Sequence, residues 1–361
     1  MSTFTRFNSG DIVLSTEKIH SNAWTDDLNT LSTFHTSSTE ALNYANPSSS
    51  GQFFLEIYKT AAEASSATGK VEFSIAYGNR KGSGSRDFST GTGGVGFGAS
   101  RTIYSQYRQL AYGDEDQTFT FEGVTPDDIY VINLERARIK QGLKPGSLNL
   151  TLASGSGGDA GLLHLTDDSV TTTGSATLTN LGRQFNLVSG SSGVMLGNTL
   201  SQTTSGSYGF VYPDAGIIIL NPSALKTRIG NLVAPDTADV FSDKFDITPS
   251  ASSGTDGLNN RKLFHAISGA GSFTVDAEEK VSSQFYFSRI TNQEFNYSTN
   301  PSFSQTDGTL KFDSMANNPK VFITTIGLYN DSNELLATAK LSKPLKKDFT
   351  KEALIRVKLD F

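Results

Sequence analysis

Three runs of acidic residues come closest to a spacing that catalysis could use. They are Asp114-Glu115-Asp116, Asp127-Asp128 and Asp167-Asp168. A pair of carboxyl groups can hydrolyse a glycosidic bond, one acting as general acid and the other as base or nucleophile. Adjacent residues on a strand or turn point their side chains apart, so we interpret all three runs as solvated turns. Their spacing also differs from that of a calcium-binding loop.

Metal and nucleophile chemistry has little support in the composition. The chain has no cysteine, which excludes disulfides, thiolate zinc sites and thiol catalysis. The histidines are scattered, without a pair at ligand spacing: His20, His35, His164 and His265. No serine has the flanking glycines of a nucleophile elbow. We therefore predict no catalytic and no metal-binding residues.

One glycine-rich run matches the dinucleotide-binding pattern. Gly91-Thr92-Gly93-Gly94-Val95-Gly96 has the G-x-G-x-x-G spacing. That motif binds pyrophosphate where a buried strand precedes it and a helix begins directly after it. The preceding residues, Arg86 to Thr90, do not have the pattern of such a strand. We interpret the run as a flexible loop and predict no cofactor.

Basic residues concentrate at Arg136, Arg138, Lys140 and Lys144. The whole chain has 361 residues and a formal net charge of -6, which does not favour electrostatic binding of nucleic acid. A phosphate contact stays open, but a solvated face or a salt-bridged contact with a neighbouring subunit is the favoured interpretation. Arg136 and Arg138 are therefore candidate assembly contacts.

The residues that must position these groups indicate a mainly β fold, with antiparallel sheets or sandwich-like domains and a few short helices. Val71, Phe73, Ile75 and Tyr77 alternate with more polar residues, which predicts a strand with one face on a core. Leu55 and Ile57, with Phe53, predict the preceding strand. Asp127 to Asn133 and Leu148 to Leu152 predict two more.

Helices are predicted at two places. Ile103, Tyr107 and Leu110 have helical spacing. Asn221 is a good N-cap, Pro222 suits the first turn and Gly230 suits a C-terminal stop, so a helix is predicted over Pro222 to Ile229. Thr248 to Asn260, rich in Ser, Thr and Gly, is predicted to be a mobile surface loop.

Composition divides the chain into three segments. We predict an N-terminal β-rich domain at residues 1–152, a Gly/Ser/Thr-rich β-subdomain or insertion at 153–220, and a C-terminal β-rich domain at 221–361. Short apolar bursts in the middle segment predict short strands, with low-complexity disorder as the alternative.

The strongest pattern lies at the C-terminal end. Val321 to Tyr329 and Leu335 to Leu341 flank the turn formers Asn330 to Asn333, which predicts a β-hairpin. Ala353 to Phe361 alternate to the last residue and predict a strand, paired within this chain or with a neighbour. Its apolar face gives four further candidate assembly contacts: Ile355, Val357, Leu359 and Phe361.

Several segments resemble virion structural proteins of contractile-tailed phages (myoviruses) of marine cyanobacteria. The resemblance is carried by Asp128-Ile-Tyr-Val-Ile-Asn-Leu-Glu-Arg-Ala-Arg138, Phe285-Tyr-Phe-Ser-Arg-Ile290, Glu294-Phe-Asn-Tyr297, Val321 to Phe361, Gly10 to Lys18 and Tyr212 to Leu220. It implies a particle component without catalytic residues, and we expect the tail or baseplate.

This resemblance sets the expected partners and location. They are other virion proteins and the chain itself, with no nucleic acid, no small-molecule substrate and no membrane insertion, because no run approaches about 20 apolar residues. The protein would be made in the host cytoplasm. Two alternatives stay open: a host-recognition or tail-fibre adaptor protein presenting loops from Ala153 to Tyr208, and, more remotely, a hydrolase of envelope glycan using Asp167 and Asp168.

Overall fold

A computed structural model describes residues 4–36, 54–82, 100–153, 162–171, 176–197, 203–229 and 256–361. The chain divides into two compact units. We call Met1–Lys18 with Lys280–Phe361 the terminal unit and Ile19–Glu279 the central unit. Strands dominate both of them, which confirms the predicted mainly β class.

The described helices are α1 (Ala61–Ala64), α2 (Ser100–Tyr112), α3 (Arg136–Ile139), α4 (Pro222–Ile229) and α5 (Asp256–Ala270). The described strands are β1 (Ile12–Asn22), β2 (Thr30–Leu31), β3 (Leu55–Tyr58), β4 (Val71–Asn79), β5 (Asp128–Leu134), β6 (Gly142–Leu143), β7 (Asn149–Ala153), β8 (Leu162–Asp167), β9 (Thr177–Thr179), β10 (Gly182–Ser191), β11 (Val194–Met195), β12 (Gly209–Tyr212), β13 (Ile217–Leu220), β14 (Phe273–Thr274), β15 (Asp276–Ile290), β16 (Val321–Tyr329), β17 (Leu335–Lys347) and β18 (Ala353–Asp360).

One large sheet organises the central unit. Its strand order is β2-β14-β7-β8-β10-β12-β13-β5-β4-β3, and β9 and β11 also pair with β10. The pairing is antiparallel, for example Ile219 opposite Val131 and Ile132 opposite Ile75. Both predicted domain boundaries fall inside this unit. The first lies within β7 and the second at the end of β13, and the strands on either side of each belong to the same sheet.

Helices cover both faces of this sheet. On one face, Leu225 of α4 and Ile267 of α5 belong to a buried cluster with Phe73. On the other face, Tyr107 of α2 belongs to a cluster with Val131. The prediction that β4 has only one face on a core is therefore wrong. Alternation in the sequence could not show that a helix brings apolar cover to the second face.

The predicted helix over Pro222 to Ile229 is confirmed with the same bounds. The Asn221 Oδ1 atom accepts hydrogen bonds from the backbone N–H of Ser223 at 3.1 Å and of Ala224 at 3.4 Å, as an N-cap does. The Asn221 Nδ2 group donates to the backbone oxygens of Ser205 and Ser207. One side chain thus begins α4 and attaches it to the chain before β12.

The loop predicted over Thr248 to Asn260 is wrong for its last five residues, because α5 begins at Asp256. Residues 248–255 lie outside the described part. Leu263, Ala266 and Ile267 have helical spacing and pack into the core of the central unit. This packing extends a helix through a segment whose Gly and Asn content favours turns.

The predicted strands at the C-terminal end are confirmed. In the terminal unit, β16 and β17 form a two-stranded antiparallel sheet, and β18 pairs with β15 in the order β1-β15-β18. Strand β17 continues past the predicted end at Leu341 through Pro344 to Lys347. A register shift between Ile323 and Thr325 accommodates the extra residues of β17, including Pro344, which has no N–H to donate.

Candidate functional site

The pair Asp167 and Asp168 is buried, so the prediction of a solvated turn is wrong here. Asp167 accepts hydrogen bonds from the backbone N–H of Gly146 at 2.9 Å and of Ser169 at 3.1 Å. Asp168 accepts from the backbone N–H and side-chain amide of Asn186, both at 2.9 Å. Burial raises the pKa of Asp167. These hydrogen bonds replace those that the carboxylates would form with water, and they hold loops to the sheet.

The other two acidic runs also form local contacts. Asp127 accepts from Arg80 Nη2 at 2.6 Å, and Asp128 accepts from Asn79 Nδ2 at 2.6 Å and from the Tyr77 hydroxyl. Hydrogen bonding to Lys81 lowers the pKa of Asp127, whereas burial raises that of Asp128. These contacts join the end of β4 to the start of β5. Asp114 to Asp116 is an exposed turn, as predicted.

The acidic partners of three basic residues lie in the same chain. Lys140 Nζ is 3.7 Å from a Glu279 oxygen, and Lys144 Nζ is 3.6 Å from an Asp276 oxygen. Arg138 Nε lies 3.8 Å from Glu72 Oε2. Of the two candidate contacts here, Arg136 is exposed and Arg138 is partly enclosed. Their role in assembly stays a prediction.

Glu72 is a buried carboxylate that sequence reasoning missed. It accepts the Thr25 backbone N–H at 3.2 Å and has no exposed surface. Alternation placed it on the solvated side of β4. The nearby Ala76 and Gly78, small residues on the same side of the strand, are the signal that this face is also covered.

Among the described residues, no group of three or more His, Asp or Glu side chains is placed to hold a metal ion. His164 Nδ1 lies 3.2 Å from the hydroxyl of Thr151, and His35 pairs with Tyr58 through its backbone. The glycine run Gly91 to Gly96 lies outside the described residues. Across the described ranges, no helix has the length and apolar character needed to cross a membrane.

The last strand is fixed by backbone and side-chain contacts to its end. The Phe361 N–H donates to Ser282 O at 2.9 Å, and the Ser283 hydroxyl donates to Asp360 at 2.6 Å. That hydrogen bond lowers the pKa of Asp360. On the outer face, the Arg356 guanidinium lies 5.3 Å from the centre of the Phe285 ring, a cation–π contact.

The four candidate contacts on this strand differ in exposure. Ile355 and Val357 are buried by this chain itself, and Leu359 is half-buried. Phe361 is 73% exposed. Of the four, only Phe361 offers most of its side chain to another molecule.

Lys347 is a second buried charge that sequence reasoning missed. Its ammonium donates to the Asn296 side-chain oxygen at 2.9 Å and to the backbone oxygens of Asn292 and Asp348 at 3.1 Å. All three acceptors are neutral, and burial lowers the pKa of Lys347. A position within a run of lysines is typical of a solvated face. Here the ammonium instead fixes the residues after β15 to the end of β17.

Exposed apolar side chains concentrate in the terminal unit. Most of the large exposed apolar residues in the described ranges belong to it, although it is much the shorter unit. We call the following set the apolar surface of the terminal unit: Phe4, Ile12, Val13, Leu14, Phe295, Tyr297, Phe312, Phe322, Tyr329, Leu335, Leu336, Leu345, Phe349, Leu354 and Phe361. Among these, Phe322 is 61% exposed and Leu336 is 67% exposed.

No family model, no curated protein and no solved structure matches this chain.

Proposed function

We propose that this chain is a non-enzymatic structural subunit of a phage particle, placed in the tail or baseplate and acting through protein–protein contacts. The apolar surface of the terminal unit is the observation that carries the proposal. The resemblance of Val321 to Phe361 to virion proteins supports the choice of particle. The proposed partners are other virion proteins and further copies of the chain.

The apolar surface favours a binding role on energetic grounds. Each large apolar side chain left in water forgoes about 1.5 to 3 kcal/mol that burial would provide. Scattered exposed residues are normal, but a concentration on one part of a chain is typical of an interaction site. A permanent neighbour in an assembly would cover these residues.

The acidic pairs are engaged in structural contacts. Asp167 and Asp168 accept backbone donors, and Asp127 and Asp128 are bonded to side chains of β4 and the residues after it. Asp167 and Asp168 are buried because they hold neighbouring segments to the sheet, and no substrate is needed to explain their burial. This is consistent with a non-enzymatic role.

The proposal is tested on purified phage particles that carry a variant of the chain. Wild-type protein should be present in stoichiometric amounts by mass spectrometry and visible by cryo-electron microscopy. Replacing Phe322 and Leu336 by serine should strongly reduce incorporation, because both belong to the apolar surface. The matched control replaces Leu178 and Leu196, exposed residues of the central unit, by serine and should incorporate normally. Absence of the wild-type chain from mature particles would refute the proposal.

One observation favours host recognition as a second candidate function. Leu178 in β9 and Leu196 directly after β11 are strongly exposed, and both lie within the middle segment. The same segment also places Leu163, Leu165 and Leu187 in the core, so deleting all of it would damage the fold. The control variant above therefore serves as the test. Particles that incorporate it but lose cell binding would support host recognition, and unchanged cell binding would favour the structural role.

A further inference from the structure

We infer that β16 docks against β16 of a second copy of this chain, forming a four-stranded β17-β16-β16-β17 sheet across a two-fold axis. The inference deepens the proposed function, on which it rests, by naming a partner for part of the apolar surface.

The hairpin itself indicates a missing neighbour. In the described part of the chain, β16 and β17 pair only with each other, so each has an outer edge of unpaired backbone groups. A two-stranded hairpin is only marginally stable in water, whereas a sheet of three or more strands is not. This hairpin is long, with 9 and 13 residues in its strands, and it exposes Phe322, Leu335 and Leu336.

The two outer edges differ in charge. Besides the buried Lys347, strand β17 has three lysines and a proline at its surface: Lys340, Lys343, Lys346 and Pro344. Lysine and proline are the residues that commonly protect an edge strand from pairing. Strand β16, Val-Phe-Ile-Thr-Thr-Ile-Gly-Leu-Tyr, has no charged residue and no proline. Its edge is therefore the one open to another strand.

The lysines of β17 favour one way of pairing two copies over another. Pairing β17 with β17 would place lysines of the two copies side by side, which is unfavourable. Pairing β16 with β16 leaves both β17 strands at the outside, about 14 Å apart at the spacing of neighbouring strands. That separation exceeds the screening length of about 8 Å at physiological salt. Of the two symmetric pairings, the one through β16 avoids repulsion.

The sequence of β16 is complementary to itself in the antiparallel direction. With Thr325 at the two-fold axis, Ile323 faces Gly327 of the second copy and Phe322 faces Leu328. Phe322, which is 61% exposed, thus gains an aliphatic neighbour across the two-fold axis. Such cross-strand pairs stabilise sheets. A symmetric contact requires a surface that matches itself, as this strand does.

The absence of cysteine makes the inference directly testable by cross-linking. In an antiparallel pair, opposite Cα atoms lie about 4.5 to 5.5 Å apart, a separation that a disulfide can span. Full-length Thr325→Cys should form mostly disulfide-linked dimer under mild oxidation. The control Thr338→Cys, an exposed residue on β17 opposite Gly327, should stay at background. Thr324→Cys and Ile326→Cys are included because a shifted register would move the strongest cross-link to one of them.

Association without cross-links provides the second measurement. Light scattering should show wild-type protein doubling its 38.7 kDa mass with increasing concentration. Thr325→Lys should remain a monomer because it places two lysines together, whereas Thr338→Lys should still dimerise. Circular dichroism verifies that both variants fold.

A wild-type monomer together with background cross-linking at residues 324 to 326 would overturn the inference. This is also the result expected if β16 pairs with another virion protein instead of a second copy. Incorporation of the wild-type chain into particles would still support the proposed function. The failure of one is thus distinguishable from the failure of the other.

Discussion

Lys347 shows how a single residue can hold a loop in place. A buried ammonium normally loses more by leaving water than it regains, unless each of its N–H groups finds an acceptor. Here three oxygens accept from it, two of them from Asn292 and Asn296 after β15. The hydrogen bonds therefore connect segments that are more than 50 residues apart in sequence.

We predict that Lys347→Met lowers the free energy of unfolding by about 2 to 3 kcal/mol, because three acceptors, two of them on buried residues, lose a charged donor. Lys343→Met removes the same charge from an exposed position of the same strand and should change stability by less than about 0.5 kcal/mol. Urea denaturation followed by circular dichroism measures both. Equal effects of the two substitutions would contradict the role assigned to Lys347.

Buried charges are the residues whose surroundings the sequence predicted least well. Asp167, Asp168, Glu72 and Lys347 all stand in local patterns that are typical of exposed positions. Each is buried because a distant segment covers it and supplies partners, such as Gly146 for Asp167. Apart from the small residues beside Glu72, local spacing contains no information about such long-range contacts, so the partners of these charges had to be seen in the structure.

At the level of elements, the two faces of β18 differ in burial and should therefore contribute differently to stability. Ile355 is buried on the inner face, whereas the neighbouring Leu354 is 63% exposed on the outer face. Both residues lie in the same ladder with β15, with Ile355 opposite Ser288 and Leu354 opposite Arg289.

We expect Ile355→Ala to cost about 2 to 4 kcal/mol of stability through the cavity that it leaves. Leu354→Ala should cost less than about 0.5 kcal/mol, since its side chain is largely in water. Thermal unfolding of the two single variants, compared with wild type, provides the measurement. A larger loss for Leu354→Ala would mean that the predicted inner face is wrong.

The elements themselves were largely predictable. Alternation found β4, β7 and β18, apolar or β-branched runs found β5 and β16, and capping residues found α4 with its bounds, because these signals are local. Helix α5 was not predicted, and its start was interpreted as a loop because Gly257 and two Asn residues favour a loop in isolation. Its packing on the sheet, a non-local effect, overrides that preference.

At the scale of the whole molecule, charge is unevenly divided. The terminal unit has 13 Lys and Arg against 10 Asp and Glu, whereas the central unit has 17 against 26. The acidic character of the chain therefore belongs to the central unit. No local pattern predicted this division, because the terminal unit joins residues 1–18 to residues 280–361 across the whole central unit.

Alkaline pH should destabilise the whole fold. Burial raises the pKa of Tyr107 from 10.0 to about 12 and also raises the pKa values of Tyr104, Tyr112 and Tyr212. Above pH 10 the tyrosines of the unfolded chain ionise while the buried Tyr107 stays neutral. The contribution of Tyr107 to the stability of the fold is therefore complete below about pH 10 and is lost as the pH rises through 12.

The free energy of unfolding should accordingly fall between about pH 8 and pH 11, and Tyr107→Phe should reduce that fall by about 1 kcal/mol. Tyr329→Phe, which changes an exposed tyrosine, is the matched control and should leave the fall unchanged. Urea titrations at the two pH values measure the difference. An identical fall in wild type and Tyr107→Phe would rule out this explanation.

The arrangement of the terminal unit has a consequence for the timing of synthesis. The first half of β1 emerges from the ribosome early, but the β15 residues that pair with it come after the entire central unit. At about 5 to 20 residues per second, the delay is on the order of tens of seconds. During this time the strand residues Ile12, Val13 and Leu14 have no partner strand, while the large sheet can already fold. The hairpin of β16 and β17 is made later still, so the proposed pairing between copies cannot form on neighbouring ribosomes before the central unit has been translated.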